Sequence, residues 1–274
     1  MNRKPLEKRA QILGMLCEGL GVKATARLAG VSHVTVLKLV EEMGDICAAY
    51  LDKSMRNLTC KRLQLDEIWS FVYAKQRNAS KEMSNAGAAG DIWTWTAIDA
   101  DTKLIPCYFM GKRDAESADL FISDLAERLT NRVQLTTDGL KVYIEAIDNS
   151  FGSQIDYAML IKHYGESPEG TRRYSPAQIT SIETNVINGN PNPKHISTSY
   201  NERHNLNIRM QNRRFTRLTN GYSKKIENHE HMMAIYTMFY NFAKIHSAIR
   251  CTPAMEAGIS KTIWTVEDIC RLAD

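Results

Sequence analysis

The apolar positions of this chain keep two rhythms, and the change from one to the other divides it. From Leu6 to about Glu42 they recur at helical spacing: Ile12, Leu13, Met15, Leu16 and Leu20 lie on a first helix that Gly19 and Gly21 end. Lys23 to Ala29 reads as a short second helix and Gly30-Val31-Ser32 as a turn. His33 to Glu42 follows as a helix capped by Ser32, with Val36, Leu37 and Val40 inward. Asp45 to Lys61 continues as a helical connector. The rhythm then shortens to period two. Arg62 to Tyr73, Ile92 to Asp99, Leu104 to Met110, Val133 to Thr137 and Ile155 to Lys162 read as five strands, the first three forming an antiparallel meander. Helices are expected over Asp114 to Leu129 and from Leu140 to Ile147. Lys75 to Gly90 is polar and reads as a loop, and 164–198, rich in Pro, Gly, Asn and Ser, as a long insertion. A helix opens at Ser199, another spans His229 to His246, and a short one starts near Thr265.

The order of elements, strands alternating with helices behind an all-helical start, predicts an α/β fold with a mixed sheet. Length and composition agree: 274 residues with 43% hydrophobic content can bury a core. Charge adds a local feature. The whole chain is only +4, yet Tyr200 to Lys225 holds seven Lys or Arg against one acid, a local charge of +6. Ser199 is the expected N-cap there, with Glu202 three residues on as in a capping box, and Glu202, Leu206, Arg209 and Arg213 near one helix face. The stretch reads either as a capped, solvated basic helix or as a catalytic acid held against a polyanion by arginines. The six cysteines show no CxxC pair, which excludes a zinc finger and predicts reduced thiols. No signal-like or membrane-spanning run is seen, so an intracellular protein without a membrane partner is expected.

Three carboxylates stand out. Asp66 sits inside an otherwise apolar strand, where a carboxylate is costly unless paired or metal-bound. Asp138 ends a strand just before Gly139, the position at which open α/β sheets place ligands. Parallel pairing of the first and fourth strands brings the two together, and a helix across the sheet can deliver Glu202. Such a cluster suits hard divalent cations, Mg²⁺ or Mn²⁺, and two of them suit phosphodiester chemistry. Asp99 and Asp101 read as hairpin-turn residues and Asp114 as an N-cap, while the histidines lack a metal spacing. Ala26, Gly30 and Val36 match a helix-turn-helix, which would turn Ser32, His33, Thr35 and Lys38 to a DNA major groove; an ordinary three-helix packing unit fits the same pattern.

The segments LDEIWSFV, LTTDGLKVYIEA, NERHNLNIR, SKKIENH and YNFAKIHSAIRCTPA resemble, in order and spacing, the bacterial DDE transposases of the insertion sequence 1 family. The resemblance implies a ribonuclease-H-like mixed five-stranded sheet preceded by a helix-turn-helix. The expected domains are 1–46 for DNA binding, 47–61 as connector, 62–228 for catalysis with 164–198 inserted, and 229–274 as a C-terminal helical region. It implies Asp66, Asp138 and Glu202 as metal-binding catalytic acids with about two Mg²⁺ or Mn²⁺ ions, and Arg209 as the basic residue that follows the glutamate. The expected activity is binding of terminal inverted repeats, metal-dependent DNA cleavage and strand transfer at the nucleoid. Arg203, Arg213, Arg214 and Arg217 are expected on DNA phosphates, and pairing of two ends predicts a homodimer or larger synaptic complex. The alternatives are a nuclease or resolvase that cleaves without joining, and a catalytically dead DNA-binding regulator.

Overall fold

The computed structural model describes residues 3–165 and 178–274. It opens with three helices, α1 (Leu6–Cys17), α2 (Val22–Ala29) and α3 (His33–Ser54). Gly30 ends α2 in the left-handed region at φ 64°, and the Ser32 side chain caps α3 by accepting from the Thr35 N–H. The helix runs unbroken through 46–47, because its inward residues Val36, Val40, Met43, Cys47 and Leu51 keep helical spacing to the end.

The sheet follows: β1 (Arg62–Val72), a short α4 (Lys81–Asn85), β2 (Gly90–Asp99), β3 (Tyr108–Gly111), α5 (Ala115–Arg128), β4 (Val133–Thr137), α6 (Val142–Phe151), β5 (Ile155–Tyr164) and β6 (Ile179–Asn188). Then come α7 (Ser199–Gln211), α8 (Ile226–Met238), α9 (Pro253–Glu256) and α10 (Val266–Arg271). Spatial order is β3-β2-β1-β4-β5-β6, with β1, β4 and β5 parallel and the other neighbours antiparallel. This mixed sheet with flanking helices is consistent with the expected ribonuclease-H-like fold.

Several expectations need correction. The sheet has six strands among the described residues, not five. The extra strand, β6, lies within the expected insertion 164–198, of which 166–177 fall outside the described residues. Almost every β6 side chain is exposed, so no buried period marks it; it is held by backbone pairing to β5. β3 starts at Tyr108 rather than Leu104, after Pro106, which has no N–H to give a ladder. The loop between β1 and β2 contains α4, capped by Ser80. The helix opening at Ser199 ends at Gln211, so Arg213, Arg214 and Arg217 lie on the turn and loop beyond it.

Each sheet face is covered. On one, Leu63 and Leu65 pack with Phe121 of α5 and Tyr143 of α6, whose rings flank Trp95. On the other, Ile68 packs with Ile208 of α7 and Met233 and Tyr236 of α8. The first core also takes in Ile12, Leu16 and Val36 from the N-terminal helices and Ile269 near the C-terminus. No helix among the described residues is long and apolar enough to cross a membrane.

Candidate active site

The site is set by where β4 stops. Arg62 lies beside Gln134, Leu63 beside Leu135 and Gln64 beside Thr136; continuing this parallel register brings Asp66 level with Asp138, one residue past β4. Beyond Gln64 the β1–β4 ladder ends, and that edge of β1 stays open until Val72 bridges to Ser223. Neighbours on a strand leave from opposite faces. Even so, Asp66 and Glu67 each bring a carboxylate oxygen to within 4.8 Å of one another and of Asp138. Asp138 holds its place in a local turn, its Oδ1 accepting from the Leu140 N–H at 2.8 Å.

α7 is fastened over Asp66 by its own polar face. Buried Asn201 donates from Nδ2 to the carbonyls of Gln64 and Thr96, 3.0 Å each, and its Oδ1 accepts from the Thr96 hydroxyl. The Gln64 Oε1 accepts from the Tyr200 and Asn201 N–H groups, so a sheet side chain caps the helix's first turn. The expected capping box is therefore absent: the N-cap residue is Thr198, without a side-chain cap, and its hydroxyl donates to Glu202 Oε1 at 2.7 Å. One turn beyond Glu202, Asn205 Nδ2 donates to Asp66 Oδ2 at 2.8 Å.

The charges do not balance. Asp66 has no cationic partner among the described residues, and its carboxyl is pushed up to about 7, first by burial and then by Glu67, Asp138 and Glu202. Glu67 is buried and also raised, chiefly by burial; its Oε2 accepts from Arg113 Nε at 3.1 Å, and the buried Tyr143 hydroxyl beside it favours its charged form. Arg113 also lies 3.8 Å from Asp138 and stacks on Trp93. Glu202 stands apart from the tight trio: Lys162 and Thr198 engage its Oε1, although its charge still reaches Asp66. The uncompensated charge, in a set of hard oxygen donors, fits a divalent cation such as Mg²⁺ or Mn²⁺.

This imbalance predicts a stability effect. A carboxyl whose folded pKa exceeds its unfolded value binds its proton more tightly when folded, so its contribution to stability falls as pH rises from about 4 through about 7. Without divalent ions, Asp66→Asn is expected to melt above the wild type, by a wider margin at pH 8 than at pH 5. Added Mg²⁺ is expected to raise the wild-type melting temperature more than that of the variant.

The remaining predicted residues lie elsewhere. Arg209, two turns along α7, donates from Nη1 to the Phe215 carbonyl at 3.1 Å; burial, then Arg217, lowers its pKa to about 10. The structure thus ties Arg209 to the turn after α7. Arg203 and Arg217 are exposed, and Arg214 is partly buried against Ser223 Oγ. Ser32, His33 and Lys38 are exposed at the start of α3, with Thr35 engaged in its cap. Buried His204 and His229 stay neutral, their pKa values lowered to about 3 by burial first. Glu67, Arg113 and Asn205 do not stand out in the sequence reading. Glu67 carries a readable signal, a carboxylate between Leu65 and Trp69 on the apolar face of its strand; Arg113 and Asn205 carry none.

The sheet order, with one carboxylate inside β1 and another just past the end of the adjacent parallel β4, is consistent with a ribonuclease-H-like DDE fold. Residues 89–167 match the family model described as a DDE domain, which is consistent with an insertion-sequence DDE transposase. The matched segment spans β2 to β5 and contains Asp138 but neither Asp66 nor Glu202. No curated protein matches the chain.

Proposed function

We propose that this chain is a DNA transposase that binds the terminal inverted repeats of an insertion sequence, cleaves at the element ends and joins the 3′ ends to target DNA. What carries the reading is the convergence of Asp66, Glu67 and Asp138 on the open edge of β1, in a chain with a DDE-domain match. Asp66 and Asp138 would hold the divalent ions, with Glu202 completing the set from α7. When bound, Mg²⁺ or Mn²⁺ supplies polarisation of the attacking oxygen and charge stabilisation for the departing 3′ oxygen. Asn205 orients the Asp66 carboxylate, and Arg113 neutralises Glu67 while its ring contact with Trp93 fixes its direction.

DNA has a second surface to follow. A cleft of about 930 Å³ lies between the N-terminal helices and the loop after α7, lined by Lys23, Arg27, His33, Arg213, Lys224 and Lys225 and by no acid among the described residues. In this reading α2, the Gly30 turn and the first half of α3 form a helix-turn-helix in domain 1–46, with Ser32, His33, Thr35 and Lys38 toward the major groove. Segment 47–61 connects it to catalytic domain 62–228, and 229–274 buttresses both. Arg203, Arg213, Arg214 and Arg217 hold phosphates, Arg209 supports the turn that presents them, and two ends synapse in a homodimer or larger complex on the nucleoid.

A labelled inverted-repeat end, taken from DNA flanking the coding region, tests this directly. Incubated with a target plasmid and Mg²⁺, it is expected to become covalently joined; cleaved but unjoined ends would leave a nuclease. Binding of the same end should weaken steeply with salt through counterion release. Replacing Lys224 and Lys225 by alanine should reduce the log–log salt slope by about 2; an unchanged slope would remove the cleft from the DNA path.

A further inference from the structure

Past the acidic trio, β1 continues into an aromatic stretch that the catalytic reading does not use. Trp69 lies two residues beyond Glu67 on the same face, about 7 Å along the strand. Its ring lies 5.8 Å from that of Phe71, which in turn lies 4.8 Å from Tyr222. The loop carrying Tyr222 packs beside β1, with the Tyr73 N–H donating to the Ser223 carbonyl, and closes a cavity of about 130 Å³ against the rings. Arg214, Arg217 and Lys75 line it, and no acid does among the described residues. Arg214 is fixed at its wall by donating from Nη1 to Ser223 Oγ at 2.8 Å, and the Lys75 ammonium stands 5.7 Å from the Trp69 ring centroid.

At the rim is Leu218, 82% exposed and held at φ 58°. A leucine in the left-handed region is strained, and one so exposed returns little burial energy to the fold. An apolar side chain presented at such a rim is suited to wedging between stacked bases, while ring faces edged by cations suit an unstacked base and its flanking phosphate.

We infer that the Trp69–Phe71–Tyr222 cavity receives a single nucleobase extruded from duplex DNA beside the acidic site, and that Leu218 is the wedge that takes its place in the stack. Arg214 and Arg217 hold the phosphates on either side of the flipped nucleotide. Lys75, a long flexible cation over the rings, moves aside to a phosphate when the base enters. This rests on the DNA-binding reading above and adds a ligand, an unpaired base, that the acidic site alone does not call for.

The test compares a fluorescently labelled duplex with the same duplex carrying one extrahelical thymine, by anisotropy without divalent ions. The wild type is expected to bind the extrahelical duplex about ten-fold more tightly, the range of one base–aromatic stack. Trp69→Ala should abolish that preference and Trp69→Phe should keep it; Tyr222→Ala reads the opposite wall should Trp69→Ala fold poorly. Leu218→Ala, at an exposed position, should widen the preference, because only the paired duplex needs the wedge. Equal binding of both duplexes by the wild type, a preference that survives both Trp69→Ala and Tyr222→Ala, or a preference that narrows in Leu218→Ala would each overturn the inference. If both duplexes bind with steep salt dependence but equally, the cavity assignment alone falls. If neither binds, the DNA-binding reading falls and takes this one with it.

Discussion

Asp66→Asn is expected to lower strand transfer on the order of a thousand-fold or more while DNA binding persists. The substitution keeps the shape of the side chain and its position beneath Asn205, but removes the charge that would anchor a divalent ion. Lewis-acid stabilisation by such an ion contributes several kcal/mol, and each 1.36 kcal/mol is about a factor of ten in rate. Glu67→Gln separates the neighbouring role: Glu67 already has Arg113 on one oxygen, so a smaller loss is expected there than at Asp66. The joining assay measures the first quantity and anisotropy the second. If Asp66→Asn joined DNA at the wild-type rate, the acidic site would have no part in the reaction, and a regulator without catalysis would become the better reading.

The largest effect on folding is expected at Gly44, on α3. A β-carbon there would lie 2.3 Å from His231 Cβ and 2.7 Å from His231 Cα on α8, an approach that no side-chain rotation relieves. In an open helix, alanine in place of glycine stabilises by about 0.5–1 kcal/mol. At Gly44 the sign reverses, because α3 and α8 would have to separate: Gly44→Ala is expected to cost about 3 kcal/mol or more, and Gly44→Leu to prevent folding. Gly14 provides the contrast within the same protein. It lies in α1, and the β-carbon that alanine adds there would have nothing within 4 Å, so Gly14→Ala is expected to raise the denaturation midpoint. Equal effects of the two alanine substitutions would show that the α3–α8 crossing does not depend on close backbone approach.

Which elements can be read in advance follows from where their information lies. The β1, β4 and β5 segments are buried on both sides or alternate cleanly, so their residues announce them. β6 leaves apolar side chains such as Ile182 and Val186 exposed along with its hydroxyl, acidic and amide ones, so no buried face marks it, and it is held by the β5 backbone, which no side-chain pattern reveals. The end of α7 shows the same difficulty in reverse. A basic run looks like one helix, but the Asn212 side chain accepts from the Arg214 N–H and starts a tight turn instead. The capping of α7 by Gln64 is equally hidden, since the two lie 136 residues apart.

The sequence by itself determined the positions at which charge was out of place: Asp66 inside an apolar strand, Asp138 before a glycine at a strand end, and Glu202 at the head of a basic segment. These are local anomalies, legible because a carboxylate in apolar surroundings is costly unless a partner or an ion compensates it. Only the tertiary structure decided which of them meet. The β1–β4 register sets Asp66 beside Asp138, the early end of β4 opens the edge around which Glu67 joins them, and Lys162 draws Glu202 aside. Register, strand length and ion pairing across distant segments are relations between backbones and charges that meet only on folding, so a single line of residues carries the donors but not their grouping.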